Sequence, residues 1–137
     1  MVCFVLLLAL AGQPQSDAAA AVQHIKAGIA AAQQKQYDTA IAEFQEAIGL
    51  DPTLAPAYVD LATVYMEQAR PAKAIPPLRT AVKLDPTIPG AQPMLGVAFL
   101  LQGYSAEAIP YLKAADLKGP VVFAHRLVRT GRPRINS

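Results

Sequence analysis

Residues 74–86 have the sequence AIPPLRTAVKLDP, and this stretch decides the fold because its pattern recurs at a fixed distance on both sides. Residues 40–52 have the sequence AIAEFQEAIGLDP, and residues 108–120 have AIPYLKAADLKGP. Each copy begins with Ala-Ile and ends with a proline, and the three prolines Pro52, Pro86 and Pro120 stand 34 positions apart. A fixed period of this length is typical of a protein built from stacked structural repeats.

The apolar residues of each copy predict a helix that ends at its proline. In the central copy Ile75, Leu78 and Val82 fall at positions i, i+3 and i+7, which places them on one helix face. Asp85 should end the helix, because the residue before a proline disfavours the helical conformation. No stretch of the chain alternates apolar and polar residues with the period of two that a strand requires.

A second apolar stripe precedes each of these helices, so each repeat contains a helix pair. The stripe consists of Tyr58, Leu61, Ala62 and Tyr65 in the second repeat, of Leu95, Gly96 and Phe99 in the third, and more weakly of His24, Ala27, Gly28 and Ala31 in the first. We expect the turns between paired helices at Gln36-Tyr37, Arg70-Pro71 and Gly103-Tyr104. The predicted architecture is therefore three helix pairs in sequence.

These stripes, with the alanines and prolines that follow them, resemble the tetratricopeptide repeat family. The second repeat carries the family pattern best, and the first carries only Gly28, Ala40, Phe44, Ala47 and Pro52. The resemblance extends from Ala21 to Pro120. It implies an all-α fold, namely an α-solenoid of three antiparallel helix pairs wound as a right-handed superhelix, with the first helix of each pair on the concave side.

The repeats set the expected domain boundaries. We predict a signal peptide at 1–11, a linker at 12–20, repeats at 21–54, 55–88 and 89–120, and a basic tail or partial capping helix at 121–137. Pro76, Pro77 and Pro110 fall inside the second helices. We expect them near the first turn, where a missing backbone donor leaves a slight kink and not a break.

The apolar run 2–11 suits the hydrophobic region of a secretory signal, and Ala9-Leu10-Ala11 suits a cleavage site. No Lys or Arg precedes it, so an uncleaved membrane anchor and a mis-assigned start remain alternatives. Because about ten apolar residues are too few to span a bilayer, the export signal is favoured. The expected location is periplasmic, secreted or envelope-associated, and otherwise membrane-anchored or cytoplasmic. Cys3, the single cysteine, lies within this run, so one chain has no internal disulfide.

The resemblance implies a binding groove on the concave side, and the residues expected there are mainly apolar. They are Val22, Ile25, Lys26 and Ile29 of the first repeat, Val59, Asp60, Thr63 and Met66 of the second, and Met94, Val97 and Leu100 of the third. An apolar groove favours an amphipathic helix or an apolar extended segment as its guest. We therefore predict a protein-binding adaptor or scaffold.

Some members of the family hold the C-terminal carboxylates of chaperones with Lys, Asn and Arg side chains in this groove. The corresponding positions here are Ile25, Ile29, Asp60 and Met94. Since Asp60 would repel a carboxylate, the sequence argues against such a clamp. The groove has alternative occupants, which are the chain's own tail, the segment 18–22 and a second copy in a homo-oligomer. Plain core packing between neighbouring helices is a further alternative.

The tail 121–137 is basic through Arg126, Arg129, Arg132 and Arg134, although the whole chain carries a net charge of only +2. Its apolar residues suit a short capping helix over the third repeat. A peptide for anionic lipid or nucleic acid is a weaker interpretation, because no aromatic residues alternate with the arginines. A chain cut short of a fourth repeat is the third possibility. We expect no nucleic-acid partner, and contact with membrane only through an uncleaved N-terminus.

The sequence offers no catalytic arrangement. His24 and His125 each stand without a second ligand at metal spacing, and no Gly-rich phosphate loop is present. Glu43 and Glu46 fall on an outer helix, where carboxylates usually face water. We therefore expect no enzyme activity, no catalytic residue, no cofactor and no metal.

Overall fold

The protein is built from helices arranged in successive pairs. The computed structural model describes residues 14–114, with side chains from Asp17 onward, and these residues contain six α-helices and no strand. The helices are α1 (Pro14–Gln33), α2 (Tyr37–Leu50), α3 (Ala55–Glu67), α4 (Pro71–Leu84), α5 (Ala91–Leu101) and α6 (Ser105–Ala114). The all-helical prediction and its three pairs are confirmed.

The helices form two compact units. The first unit extends to Thr53 and contains the pair α1–α2, whereas the second begins at Leu54 and contains α3 to α6. In the second unit α3 packs on α4, α4 on α5, and α5 on α6. Its core is formed by buried residues from all four helices, which are Ala62, Ala74, Leu78, Ala81, Ala91, Leu95, Phe99, Ala108 and Leu112.

Small residues let the two helices of a pair approach closely. A methyl group built on Gly28 of α1 would lie 2.6 Å from the ring of Phe44 on α2. A methyl group built on Gly96 of α5 would lie 2.7 Å from Leu112 on α6. Both distances are below normal van der Waals contact, so only glycine fits at these two positions without displacement of a neighbour.

The turn after each first helix has the same backbone geometry three times. Lys35, Ala69 and Gly103 have φ angles of 57°, 56° and 80°, so all three adopt the left-handed conformation. The next residue donates its N–H to the carbonyl five positions earlier, as Gln36 does to Ala31 at 2.9 Å and Arg70 to Tyr65 at 2.8 Å. This Schellman arrangement satisfies the last carbonyls of the helix and reverses the chain. The predicted turn positions are confirmed.

The second helices end where the sequence predicts. α2 stops before Asp51 and α4 before Asp85, and both aspartates have an extended backbone. Each carboxylate accepts hydrogen bonds from the backbone N–H and the hydroxyl of the threonine two residues later, Thr53 or Thr87. These bonds stabilise the charged form, so they lower the pKa of both carboxyl groups.

Two expectations need correction. Residues 14–20, predicted as linker, are helical, because α1 begins at Pro14 and the alanines that follow favour helix. Pro76, Pro77 and Pro110 lie in the second turn of their helices and not in the first, because α4 begins at Pro71 and α6 at Ser105. Both helices nevertheless continue through their prolines, so the expectation of no break is confirmed.

Three sequence predictions lie outside the described residues. They are the signal peptide with Cys3, the helical continuation to Pro120, and the basic tail 121–137 with His125. Within residues 14–114, none of the helices combines the length and the hydrophobicity needed to cross a bilayer.

Candidate functional site

α3 and α5 present the richest set of predicted binding residues. From α3 come Val59, Asp60, Thr63 and Met66, and from α5 come Met94, Val97 and Leu100. All seven side chains are half-buried, and the five apolar ones pack against the core of the second unit. We call this set the α3–α5 face.

The two helices of this face are in direct side-chain contact. The hydroxyl of Thr63 donates to the carbonyl of Val59 at 2.9 Å, which satisfies it within its own helix. The same hydroxyl lies 3.8 Å from the sulfur of Met94 on α5. The sequence predicts that these residues share one side of the repeats. The structure places Thr63 of α3 beside Met94 of α5, and the binding role of the set stays a prediction.

Contacts on the opposite side hold α5 in place. Phe99 is buried, and its ring stacks on Tyr111 of α6 with ring centres 5.7 Å apart. The guanidinium of Arg79 on α4 lies 5.3 Å from the centre of the same ring, a cation–π contact. Because Tyr111 and Arg79 both contact Phe99, the backbone of α5 is held in place. Its residues Met94, Val97 and Leu100 therefore have a fixed position.

The charge distribution of the face is simple. α5 contains no charged side chain, and the charged residues of α3 are Asp60 and the exposed Glu67 in its last turn. Asp60 lies one turn before Thr63, and no described residue donates a hydrogen bond to its carboxylate. Burial raises the pKa of Asp60, because the charged form loses hydration that nothing in the described part of the chain replaces.

The predicted binding residues of the first repeat form a separate set on α1. Val22 and Ile29 are exposed to 42% and 40%, which is high for large apolar side chains. Ile25 is half-buried, and Lys26 is exposed. We call Val22, Ile25, Lys26 and Ile29 the α1 face. It belongs to the first unit, so the predicted groove over all three repeats stays a prediction.

Sequence reasoning missed one polar contact within the first unit. The Nδ1 atom of His24 on α1 lies 2.7 Å from a carboxylate oxygen of Glu43 on α2. The sequence places His24 in a packed or surface position and Glu43 in water. The two residues are 19 positions apart, so only the folding of α2 back onto α1 brings them together.

The described residues contain no cluster of side chains suited to hold a metal ion. No three His, Cys, Asp or Glu side chains within residues 14–114 are placed to hold a metal ion. What the α3–α5 face offers is apolar surface, two thioethers, one hydroxyl and one carboxylate. Such a surface can bind a segment of polypeptide, and methionine side chains adapt readily to differently shaped partners.

A comparison with family models gives one match, to the tetratricopeptide repeat model over residues 31–91. Residues 31–91 therefore resemble tetratricopeptide repeats, and they make up less than half of the chain. The matched residues run from the end of α1 to the first residue of α5. No curated protein sequence matches the chain significantly.

Solved structures of tetratricopeptide repeat domains share this fold. The Arabidopsis OM64 domain matches with a TM-score of 0.71 and 22% identity over 83% of this chain and 98% of that one. The N-terminal domain of stress-induced protein-1 from C. elegans matches with a TM-score of 0.71 and 25% identity, covering 82% and 98%. The first such domain of Spaghetti (RPAP3), bound to the HSP90 peptide SRMEEVD, gives 0.70 and 20%, covering 82% and 93%.

Proposed function

We propose that this chain is a non-catalytic binding module that holds a segment of another protein on its α3–α5 face. The observation that carries the proposal is a set of half-buried apolar side chains on α3 and α5, two helices linked by the contact of Thr63 with Met94. The contacts of Phe99 with Arg79 and Tyr111 hold α5 from its other side. Structures of similar fold hold peptides, since one is a complex with an HSP90 peptide and another with an HSP70 peptide.

The chemistry of the face indicates a different guest from the one in those complexes. The peptide SRMEEVD contains three acidic residues. Asp60 would repel an acidic segment, and the other six residues of the α3–α5 face carry no charge. The apolar side chains favour an amphipathic helix or an apolar extended segment. We extend the proposal to the α1 face, whose exposed Val22 and Ile29 offer a second apolar surface.

The expected affinity follows from the size of the surface. A contact that buries roughly 400 Å² of apolar area gains on the order of 10 kcal/mol before costs. Loss of motion of the guest and of the long methionine side chains removes much of that gain. A dissociation constant in the micromolar range, about 1–100 µM, is therefore expected.

Fluorescence titration tests the proposal. The chain contains no tryptophan, so a short amphipathic peptide of leucine, alanine and glutamine with one tryptophan reports its own binding. Val97→Asp should weaken binding at least about tenfold, because it places a charge against apolar surface. Leu101→Asp is the matched control, since Leu101 is 63% exposed on the same helix and lies outside the face.

Three results would count against the proposal. Binding would be absent at peptide concentrations of about 1 mM, far above the expected constant, or Val97→Asp and Leu101→Asp would weaken it equally. A dimer in which the α3–α5 face is buried between two copies would favour the homo-oligomer alternative. Sedimentation of the full chain detects such a dimer. Val97→Thr, a smaller change, keeps the test valid if circular dichroism shows that Val97→Asp unfolds.

We also propose that the chain is exported, on the strength of the apolar run 2–11 alone. N-terminal sequencing of protein purified from the producing cell tests this. A new N-terminus near Gly12 supports cleavage after Ala11. An intact Met1 in the membrane fraction would instead support the anchor, and an intact Met1 in the cytoplasm would contradict export.

A further inference from the structure

Asp60 is the feature of the α3–α5 face that the binding of a purely apolar guest does not explain. Its carboxylate is half-buried among side chains that offer it no hydrogen bond in the described part of the chain. A position of this kind costs free energy in the folded protein, because an ionised carboxylate loses part of its water and gains no hydrogen bond in return. An apolar or neutral polar residue would suit the packing better.

We infer that Asp60 recognises a positive charge in the bound segment. The partner is a segment of another protein in which apolar residues flank a single arginine or lysine. The inference rests on the proposed function of the α3–α5 face and names the chemistry of its partner. Complementary charge carries it, since a half-buried carboxylate on an otherwise uncharged face is matched by one cation.

The neighbours of Asp60 support this assignment. Thr63 lies one turn further along α3, and its hydroxyl already donates to Val59, so its oxygen remains available as an acceptor. An arginine placed over Asp60 can therefore donate to the carboxylate and to that hydroxyl together, while its aliphatic stem lies along Met94. The raised pKa of Asp60 agrees with a site that lacks its counter-ion.

Within the described residues of the second unit, 54–114, the cations are engaged by other groups or exposed. Arg79 lies over Phe99, and Arg70 lies 5.9 Å from the centre of the Tyr65 ring and bonds to Gln68. Lys73 and Lys83 are exposed on α4, and Lys113 is exposed on α6. None of these described cations forms a salt bridge with Asp60, so the proposed counter-ion comes from outside α3 to α6. We assign it to a partner protein.

The experiment compares three peptides on the full chain. They share one amphipathic apolar sequence with a tryptophan and differ only at a central position, which is arginine, glutamine or glutamate. The wild-type chain should bind the arginine peptide about tenfold more tightly than the glutamine peptide, because a charge-assisted hydrogen bond is roughly twice as strong as a neutral one. It should bind the glutamate peptide more weakly than either.

Substitution of Asp60 should remove this order of peptide affinities. Asp60→Asn should bring the arginine peptide down to the affinity of the glutamine peptide and leave the glutamine peptide unchanged. Asp60→Lys should reverse the preference in favour of glutamate. Glu67→Gln is the matched control, because Glu67 is an exposed carboxylate on the same helix, and its loss should leave the ratio of affinities as it is.

The outcomes separate the two proposals. If no peptide binds the wild-type chain, the proposed binding function fails. If the arginine and glutamine peptides bind equally, or if Glu67→Gln lowers the ratio as much as Asp60→Asn, binding stands and the role of Asp60 is overturned.

Two further results would assign the face to another occupant and overturn the partner assignment. One is tighter peptide binding after Arg126→Gln and Arg129→Gln, which would mean that the chain's own tail competes for Asp60. The other is a dimer that Asp60→Asn dissociates, which would mean that a second copy fills the face.

Discussion

The two helix pairs of the second unit solve the same packing problem with different residues. In the pair α3–α4, Ala62 and Leu78 are both fully buried and belong to the same core. In the pair α5–α6, the equivalent positions 34 residues later hold Gly96 and Leu112, and a methyl group on Gly96 would collide with Leu112. The fold thus requires a small residue opposite a large one, and each pair sets its own helix separation.

The same two pairs differ in chemistry at a half-buried position. Asp60 of α3 and Met94 of α5 are 34 residues apart and therefore equivalent, yet one carries a carboxylate and the other a thioether. Packing does not demand this difference, because both side chains are only half-buried. The comparison teaches that the repeat constrains residue size at the buried positions, whereas the chemistry of the side chain varies at half-buried positions such as 60 and 94.

The largest expected effect comes from filling the close contact between α5 and α6. Gly96→Val should destabilise the protein by about 3 kcal/mol, because the added methyl groups overlap Leu112 in a core without room. Gly49→Val is the control, since a side chain at Gly49 meets no atom within 4 Å. Urea unfolding followed by circular dichroism measures both. Equal stability of the two variants would contradict the close approach of α5 and α6.

An intermediate effect is expected in the turns. Ala69 and Gly103 occupy equivalent left-handed positions, and a side chain with a Cβ is strained there. Ala69→Gly should therefore stabilise the protein by about 1 kcal/mol, and Gly103→Ala should destabilise it by about the same amount. Thermal unfolding measures both shifts. Shifts of the same sign would show that the two turns are not equivalent.

The smallest effect is expected at Asp60. The unfolded carboxyl has a pKa near 3.8, and burial raises the folded value, so the ionised group destabilises the fold above the folded pKa. As the pH falls through the folded pKa this penalty disappears. Asp60→Asn should therefore stabilise the free chain at neutral pH by at most about 0.5 kcal/mol, since solvent still reaches the group. The gain should vanish below the unfolded pKa, and a gain independent of pH would contradict its origin in burial.

The sequence predicts the architecture well because the period leaves few alternatives. The spacing of Pro52, Pro86 and Pro120 and the apolar stripes between them predict the helix pairs, their turns and the ends of α2 and α4. Helix starts are less predictable, since α1 begins at Pro14 although the pattern places the first repeat from residue 21. Two of the left-handed turn residues, Lys35 and Ala69, are not glycines, so the sequence contains no signal for their conformation.

The candidate site is only partly predictable. The equivalence of repeats places Thr63 and Met94 on one side, and the structure brings them into contact. The half-burial of Asp60 depends on how closely the side chains of α3 and α5 approach each other, which periodicity does not specify. The contact of His24 with Glu43 likewise depends on the exact rotation of α1 against α2.

The methionines give the most direct test of the α3–α5 face as the binding site. The chain has three, and Met66 and Met94 both belong to the face. Carbon-13 labelling of the methionine methyl groups, with assignment through Met66→Leu and Met94→Leu, allows both signals to be followed by NMR as the arginine peptide is added. Binding on this face shifts both signals with the same dissociation constant that fluorescence gives. A peptide that binds by fluorescence while both signals stay unchanged would contradict the central claim.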